Sequence, residues 1–290
     1  MKPISIITLM LLSMIVKAQT FTETITKEFK FEKPDAQSTL ILANINGSVK
    51  IEGYAGDKIL VEAVRTIKAK TAERLEKGKK EMQLNMIDRY DTIIYYVGGV
   101  CNQFVYQKKK GSHHRWTYDW NCEDNNCDQA YDYKFDFKIK VPNSVNVEVS
   151  TINDGNITVN QMKAGVKANN VNGAIALTGL EGPTEAVTIN GDVDLDYTKN
   201  PSGACRYYTL NGDINAYFQK GLGATMSFKS FNGELYTNLE NLESMPMEVE
   251  KVKGENGFHI KVGGSKYKIR QGGALLDFET FNGDAIVKEK

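Results

Sequence analysis

Histidine, tryptophan, cysteine and proline are scarce in the sequence. Its 290 residues include 3 histidines, 2 tryptophans, 4 cysteines and 6 prolines, and the formal net charge is zero. No long basic block is present, which argues against a nucleic-acid partner, because such proteins neutralise phosphates with clustered lysine and arginine. Three histidines are a thin supply for acid–base catalysis. No phosphate-binding glycine loop or dinucleotide fingerprint occurs.

Long hydrophobic runs are also missing, apart from one at the N-terminus. Lys2 precedes an apolar run, residues 4–16, which is shorter than the about 20 residues of a membrane-spanning helix. Val16-Lys17-Ala18 then resembles a signal-peptidase site. These features predict a signal peptide over 1–18, a mature chain beginning at Gln19, and export to the periplasm or cell surface. The alternative is an uncleaved anchor. No membrane span is expected after cleavage.

The cysteines suit an exported chain. Their even number favours disulfides in an oxidising compartment, and four cysteines allow three connectivities. Cys122 and Cys127 are close enough in sequence to close a small loop, which favours that pair and leaves Cys101 with Cys205. The spacing of cysteines and histidines departs from structural zinc sites, so no metal or other cofactor is expected.

Glycine is abundant, with 25 residues, and many of them belong to a repeat. Seven segments share a polar residue, an apolar residue, Asn, a Gly turn and another apolar residue. The turn glycines of the central five segments are separated by 18, 18, 21 and 21 residues. The segments are NINGSV (44–49), TINDGNI (151–157), NVNGAI (170–175), TINGDV (188–193), TLNGDI (209–214), SFNGEL (230–235) and TFNGDA (280–285).

The repeat predicts an all-β fold. Asn-Gly between alternating apolar residues is a hairpin signal, so a β-meander sandwich is one interpretation. Regular spacing favours a right-handed β-solenoid in which each Asn-Gly marks the same corner. The asparagines would then stack in an amide ladder. The apolar residues before them would form an inward column: Ile152, Val171, Ile189, Leu210 and Phe231.

Residues 19–290 are expected to form a single β-repeat domain with two special segments. A helix is predicted near 71–83, where Thr71 can cap helix-forming residues. The second segment, 98–133, is an insertion rich in cysteine and aromatic residues.

The insertion contains the candidate binding residues. Trp116, Tyr118 and Trp120 alternate, so on a strand they share one face that could stack on a sugar or enter a partner. The adjacent basic residues His113, His114 and Arg115 complete the candidate site, whose partner would be a glycan or an envelope protein. The alternative is that the aromatic face packs against the repeat.

Carboxylates form a second cluster. Asp192, Asp194 and Asp196 share one face of a strand, and Asp192, Asp213 and Glu234 would stack in a solenoid. Clustered aspartates could belong to a polysaccharide-acting β-helix enzyme or bind Ca²⁺. A solvated outer face is favoured, because acidic residues are mostly exposed. No catalytic residue is assigned, and the chain is not expected to be an enzyme.

The NGSVKIEGY segment (46–54), the helix after VRTIKA (64–69), the leader and the repeated TINGDV units resemble the putative adhesin family of bacterial envelope proteins. The resemblance covers most of residues 21–290, excluding the insertion. It implies an exported, non-enzymatic protein of β-strand repeats with an adhesin-like role, and it supplies no catalytic residues.

Overall fold

The computed structural model describes residues 18–32, 34–99, 102–108, 114–119, 130–246, 249–254, 257–262 and 264–290. The described part is all-β apart from one helix, α1 (Ala72–Glu81), which confirms the predicted fold class at that level. The strands, in chain order, are β1 (Gln19–Phe29), β2 (Thr39–Ala43), β3 (Val49–Tyr54), β4 (Ile59–Ala69), β5 (Gln83–Asp88), β6 (Thr92–Gly98), β7 (Gln103–Lys108), β8 (His114–Asp119), β9 (Tyr131–Pro142), β10 (Asn146–Ser150), β11 (Ile157–Asn160), β12 (Val166–Asn169), β13 (Ile175–Leu180), β14 (Thr184–Asn190), β15 (Val193–Tyr197), β16 (Cys205–Asn211), β17 (Ile214–Phe218), β18 (Ala224–Lys229), β19 (Leu235–Thr237), β20 (Leu242–Met245), β21 (Val249–Gly254), β22 (Gly257–Val262), β23 (Ser265–Ile269), β24 (Ala274–Asn282) and β25 (Ala285–Glu289).

Two large mixed sheets contain most of these strands. Within the described ranges, sheet 1 has the order β1-β4-β9-β3-β11-β13-β15-β17-β25-β19. Sheet 2 has the order β20-β23-β18-β24-β16-β14-β12-β10-β2-β6-β5. The hairpins β7–β8 and β21–β22 each form a separate two-stranded sheet.

Each repeat segment connects one sheet to the other. At Asn190-Gly191, the chain passes from β14 in sheet 2 to β15 in sheet 1. β14 pairs in parallel with β12 and β16, and β15 pairs in parallel with β13 and β17. Asn-Gly is therefore a corner between sheets and not the turn of a two-stranded hairpin. A strand of sheet 2, its corner and the following strand of sheet 1 are called a repeat unit below.

The units do not stack in chain order. The final unit, β24–β25, lies between the unit β16–β17 and the unit β18–β19, since β24 pairs with both β16 and β18 and β25 with both β17 and β19. The last repeat segment, TFNGDA, therefore belongs to an interior unit of the stack. The predicted direct stacking of Asp213 on Glu234 is wrong, because Asp284 lies between them.

The core lies between the two sheets and follows the alternation of the strands. In β15, Val193, Leu195 and Tyr197 are buried, while Asp194 and the preceding Asp192 are exposed. The inward side chains of both sheets belong to one hydrophobic cluster. This alternation is what a strand with one buried face requires.

Cys205 lies in this core as a free thiol, so its predicted disulfide with Cys101 is wrong. Its Sγ is 3.6 Å from the hydroxyl of Tyr197, which is itself 2.8 Å from the hydroxyl of Tyr207. Burial raises the pKa of both tyrosines well above the ordinary value, so both remain neutral. Cys122 and Cys127 lie outside the described residues.

Helix α1 coincides with the segment that the sequence indicates. Thr71 Oγ1 accepts a hydrogen bond from the backbone N–H of Arg74 (3.3 Å), which is the geometry of an N-cap. Gly78 is buried, and a Cβ there would lie 2.8 Å from side-chain atoms of Ile67 and Tyr131. This glycine therefore allows the helix to pack closely on β4 and β9.

Candidate functional site

The corners show what the repeated residues do. The inward residue is the polar one, as Thr151, Thr188 and Thr209 are almost completely buried. The Oγ1 of Thr209 donates to the carbonyl oxygen of Gly191 at 2.8 Å, and Thr188 and Thr151 donate in the same way to glycines of their neighbouring units. Each hydroxyl thus satisfies a corner carbonyl that the sheets leave unpaired.

The predicted inward apolar column is consequently wrong. The residue after each inward threonine faces the opposite way, because side chains alternate along a strand. Ile189 is 39% exposed and Phe231 is 73% exposed. Phe231 stacks on Phe281 with ring centroids 4.7 Å apart. The column therefore faces outward at Ile189 and Phe231, while Ile152 is partly buried and packs against the core.

The predicted amide ladder is confirmed. Each asparagine after Asn46 donates from Nδ2 to Oδ1 of the asparagine in the neighbouring unit. Five links measure 2.8–2.9 Å, and the link from Asn153 to Asn46 measures 3.4 Å. In spatial order the ladder contains Asn46, Asn153, Asn172, Asn190, Asn211, Asn282 and Asn232.

The clustered aspartates take part in the same stacking. Asp192 Oδ1 accepts the backbone N–H of Asp213 at 2.9 Å, and Asp213 Oδ1 accepts that of Asp284 at 2.8 Å. Asp194 Oδ1 accepts Asn215 Nδ2 at 2.8 Å, and Asp196 pairs with Lys290. These carboxylates act as acceptors that join neighbouring units, which is a structural use of the predicted cluster.

The aromatic hairpin β7–β8 lies on the outer face of sheet 2. Tyr118 is buried, and its hydroxyl is 2.8 Å from the carbonyl oxygen of Ala43 and 2.9 Å from that of Val97. Burial raises the pKa of Tyr118 strongly. Phe104 stacks on Tyr96 at 4.6 Å. The half-buried Trp116 contacts Phe104, and its Nε1 donates to Glu148 at 3.4 Å.

The remaining predicted binding residues are placed only in part. His114 and Arg115 lie at the start of β8, where they pair in register with Lys108 and Gln107. His113 and Trp120 lie outside the described residues. The binding role of the set stays a prediction.

A groove of about 750 Å³ lies on the outer face of sheet 1. It crosses five neighbouring strands: β1, β4, β9, β3 and β11. The lining residues are Thr26, Lys27, Glu28, Lys50, Ile51, Glu52, Leu60, Val61, Glu62, Lys138, Ile139, Lys140 and Asn160.

Two rows of outward side chains form the surface of the groove. Strand register aligns Thr26, Glu62, Lys138 and Lys50 in the first row. In the second row it aligns Glu28, Leu60, Lys140, Glu52 and Asn160. Leu60 is 37% exposed, so it provides an apolar floor between charged neighbours.

The charges of the groove are only partly paired. Lys138 Nζ is 3.5 Å from a carboxylate oxygen of Glu62, and Lys140 Nζ is 3.5 Å from one of Glu52. Lys50 is opposite Lys138 in the parallel register of β3 and β9, and no ion pair among the described residues includes Lys50. Like charges opposite each other on neighbouring strands are destabilising. An anion between the two lysines would offset this repulsion.

Sequence reasoning missed the groove. The alternation in Lys50-Ile51-Glu52 and in Lys138-Ile139-Lys140 could have indicated two outward-facing charged strands. It could not indicate that they are neighbours, because the insertion separates them in the chain and β9 enters between β4 and β3.

Among the described residues, no group of three or more histidine, cysteine or acidic side chains is arranged to hold a metal ion. Their one helix has ten residues, and none of the described helical structure is long and apolar enough to cross a membrane.

No protein-family model and no curated protein matches the chain. Solved structures to which it is similar include a putative cell adhesion protein from Clostridium sporogenes ATCC 15579, at 12% identity and a TM-score of 0.48, over 93% of this chain and 100% of that chain. A putative adhesin from Bacteroides fragilis NCTC 9343 has 10% identity and a TM-score of 0.37 over 92% and 97%. A putative lipid binding protein from Parabacteroides distasonis ATCC 8503 has 11% identity and a TM-score of 0.23 over 92% and 96%. Likenesses at this level assign neither fold nor function.

Proposed function

We propose that the protein is a non-enzymatic, exported recognition module of the cell envelope with an adhesin-like role, and that it binds an acidic glycan in the groove on sheet 1. The observation that carries the proposal is the facing pair Lys50 and Lys138 above the apolar floor of Leu60. A carboxylate, sulfate or phosphate group between the two ammonium groups converts a repulsive pair into two attractive contacts.

The shape of the groove suits a polymer better than a small molecule. Five strands at about 4.8 Å spacing give a width of roughly 19 Å, which accommodates several sugar units. Asn160 and Thr26 lie at opposite ends and can hydrogen-bond hydroxyl groups, while an apolar sugar face can rest on Leu60. The engagement of Asp192 and Asp213 within the stack supports a binding role over hydrolysis.

The scaffold we propose is the right-handed β-solenoid that the repeat predicts. Support comes from the parallel pairing of successive units and from the continuous asparagine ladder. Such stacking holds outward side chains at fixed spacing, as recognition of a repeating polymer requires.

Calorimetry with polygalacturonate as the acidic probe and amylose as the neutral one tests the proposal. We expect polygalacturonate alone to bind, with an affinity that falls as salt rises, because ionic contacts between exposed groups are screened. The double variant Lys50→Gln/Lys138→Gln should bind at least about tenfold more weakly. It loses two charge-assisted contacts, and a loss of about 1.4 kcal/mol in binding free energy is a tenfold change in affinity.

The matched control is Lys199→Gln/Lys220→Gln, which removes two charges at exposed sites outside the groove. It should retain the affinity of the parent protein. Equal binding of both polymers, or equal losses in the two double variants, would show that the groove is not the site.

The hairpin is a second candidate surface for a glycan or an envelope protein. Its register places Arg115 opposite Gln107 of the paired strand. The variants Arg115→Ala and Trp120→Ala can be compared with the groove variant in the same assay. Loss of binding in these variants alone would favour the hairpin.

A further inference from the structure

Strand β1 is the edge of sheet 1 and, within the described residues, pairs only with β4. It is 11 residues long, whereas β19 at the opposite edge has 3. A long edge strand presents a row of N–H and C=O groups that can pair with another chain. Edges that remain free usually carry charged residues that point inward.

Two such charges lie on β1. Phe21, Ile25 and Phe29 are partly buried against the core, and alternation places Glu23 and Lys27 on the same side of the strand. Glu23 also pairs with the guanidinium of Arg65 on β4. Lys27 is exposed and appears in no ion pair among the described residues.

These side chains are self-complementary in one antiparallel register. With a two-fold axis at Ile25, Glu23 lies opposite Lys27 of a second copy, and Phe21 lies opposite Phe29. In this register odd-numbered residues lie opposite odd-numbered residues, and even opposite even. Because backbone N–H and C=O groups face alternate edges along a strand, the groups that face away from β4 on one copy then meet those of the other copy.

The neighbouring registers that also align these backbone groups are unfavourable. An axis at Glu23 places two carboxylates opposite each other, and an axis at Lys27 places two ammonium groups opposite each other. An axis at Thr24 sets Glu23 against Ile25 and Phe21 against Lys27. The inward charges thus oppose other pairings and favour the Ile25-centred one.

We propose that the protein forms a two-fold dimer through antiparallel pairing of β1 with β1 of a second copy, centred on Ile25. The interface is isologous, so it closes after two copies. Sheet 1 becomes continuous across the dimer, with Glu23–Lys27 contacts on each side of the axis. On the outer face, Glu28 lies opposite Thr22 and Lys30 opposite Thr20, so no like charges meet there.

Sedimentation velocity of the purified protein, with variants, tests this dimer. We expect a concentration-dependent dimer, retained in Lys27→Arg and weakened about tenfold or more in Lys27→Glu, where glutamates face each other across both pairs. The control Lys199→Glu makes the same charge change at an exposed site on another part of the chain and should dimerise normally.

A zero-length carbodiimide crosslink identifies the register. Within one extended strand, Glu23 and Lys27 are about 13 Å apart, so a Glu23–Lys27 amide forms only between copies. Mass spectrometry of mixed ¹⁴N and ¹⁵N protein should show this crosslink in isotopically mixed form. A strictly monomeric protein, an open-ended polymer, or a dimer that lacks this crosslink and ignores Lys27→Glu would overturn the proposal.

Discussion

At each corner of the repeat, successive residues have separate tasks. Thr209 faces inward and satisfies a carbonyl, Asn211 continues the amide ladder, and Gly212 allows the neighbouring unit to approach. A Cβ on Gly212 would lie 2.2 Å from the carbonyl oxygen of Gly191, and its φ is 151°. The same residue types recur from unit to unit because each corner must fit against the corner of the neighbouring unit.

Gly212→Ala should destabilise the protein by about 4 kcal/mol or more, because the new methyl group clashes with backbone that cannot move without separating two units. Urea unfolding measures the effect. The matched control is Gly221→Ala, where φ is also positive at 85° but no atom lies within 4 Å of the new Cβ. It should cost only the backbone strain, about 1–2 kcal/mol. Similar losses for both variants would contradict the role of close approach.

The asparagine ladder can be predicted from the sequence. Which of the residues before each asparagine faces the core cannot. Period-two alternation shows that Thr188 and Ile189 face opposite sides, and hydrophobicity alone favours Ile189 as the inward one. The buried threonine is favoured because its hydroxyl reaches the carbonyl of Gly173. That carbonyl belongs to another unit, so the contact is visible only in the stack.

Among the elements, the hairpin β7–β8 explains an exception to the alternation. Ile41 on β2 and Ile94 on β6 are fully buried although they belong to the outer side of sheet 2. The hairpin covers this part of the sheet with Phe104, Trp116 and Tyr118. Its aromatic face therefore provides a second, smaller apolar layer.

Tyr118→Phe should destabilise the protein by about 1–3 kcal/mol, because it removes the buried hydroxyl whose proton lies between the carbonyl oxygens of Ala43 and Val97. Thermal and urea unfolding report the loss. Tyr217→Phe removes a hydroxyl from a side chain that is 38% exposed and should change stability by less than about 0.5 kcal/mol. Equal stability of Tyr118→Phe and the parent would mean that the hydroxyl does not anchor the hairpin.

The alternating aromatic residues of the hairpin are evident from the sequence, and so are the two alternatives that they pack on the repeat or bind a partner. Which alternative holds depends on what lies beneath β8. Tyr118 meets carbonyls from β2 and β6, which are distant from it in sequence. Only the assembled sheet determines that partner.

For the whole molecule, strand order is the feature that the sequence predicts least well. The repeats indicate units of similar length, and their chain order is a natural expectation for their spatial order. Insertion of β24–β25 within the stack and of β9 beside β3 depends on contacts between segments far apart in sequence. The groove depends on the second of these insertions, and for that reason its lysines cannot be grouped from the sequence.

The ion pair between Arg270 and Glu289, one of several at the inserted unit, gives a pH dependence. Arg270 donates to both carboxylate oxygens of Glu289, at 2.6 and 2.9 Å, and the N–H of Leu222 donates to the same carboxylate. The hydrogen bond from Arg270 lowers the pKa of Glu289 more than burial raises it. The ionised carboxylate therefore stabilises the fold above the ordinary pKa of 4.5, and this contribution disappears as the pH falls through the folded-state pKa.

Glu289→Gln should lower the urea midpoint at pH 7 and reduce its further fall toward pH 3. Part of that acid dependence should remain. Burial raises the pKa of Asp136, but the hydrogen bonds from Ser48 together with Lys134 outweigh burial and lower the pKa overall. The exposed Glu32→Gln is the control and should follow the parent. An unchanged acid limb in Glu289→Gln would show that this pair does not couple protonation to stability.

The position of the final unit also determines when folding can finish. Residues 224–237 leave the ribosome before residues 274–290, yet they reach their place in the stack only beside those later residues. Until residues 274–290 are available, the unit β16–β17 has an open edge on the side that β24–β25 later occupies. Completion of the stack therefore follows synthesis of residues 274–290, and loss of this segment would remove an interior layer of the fold.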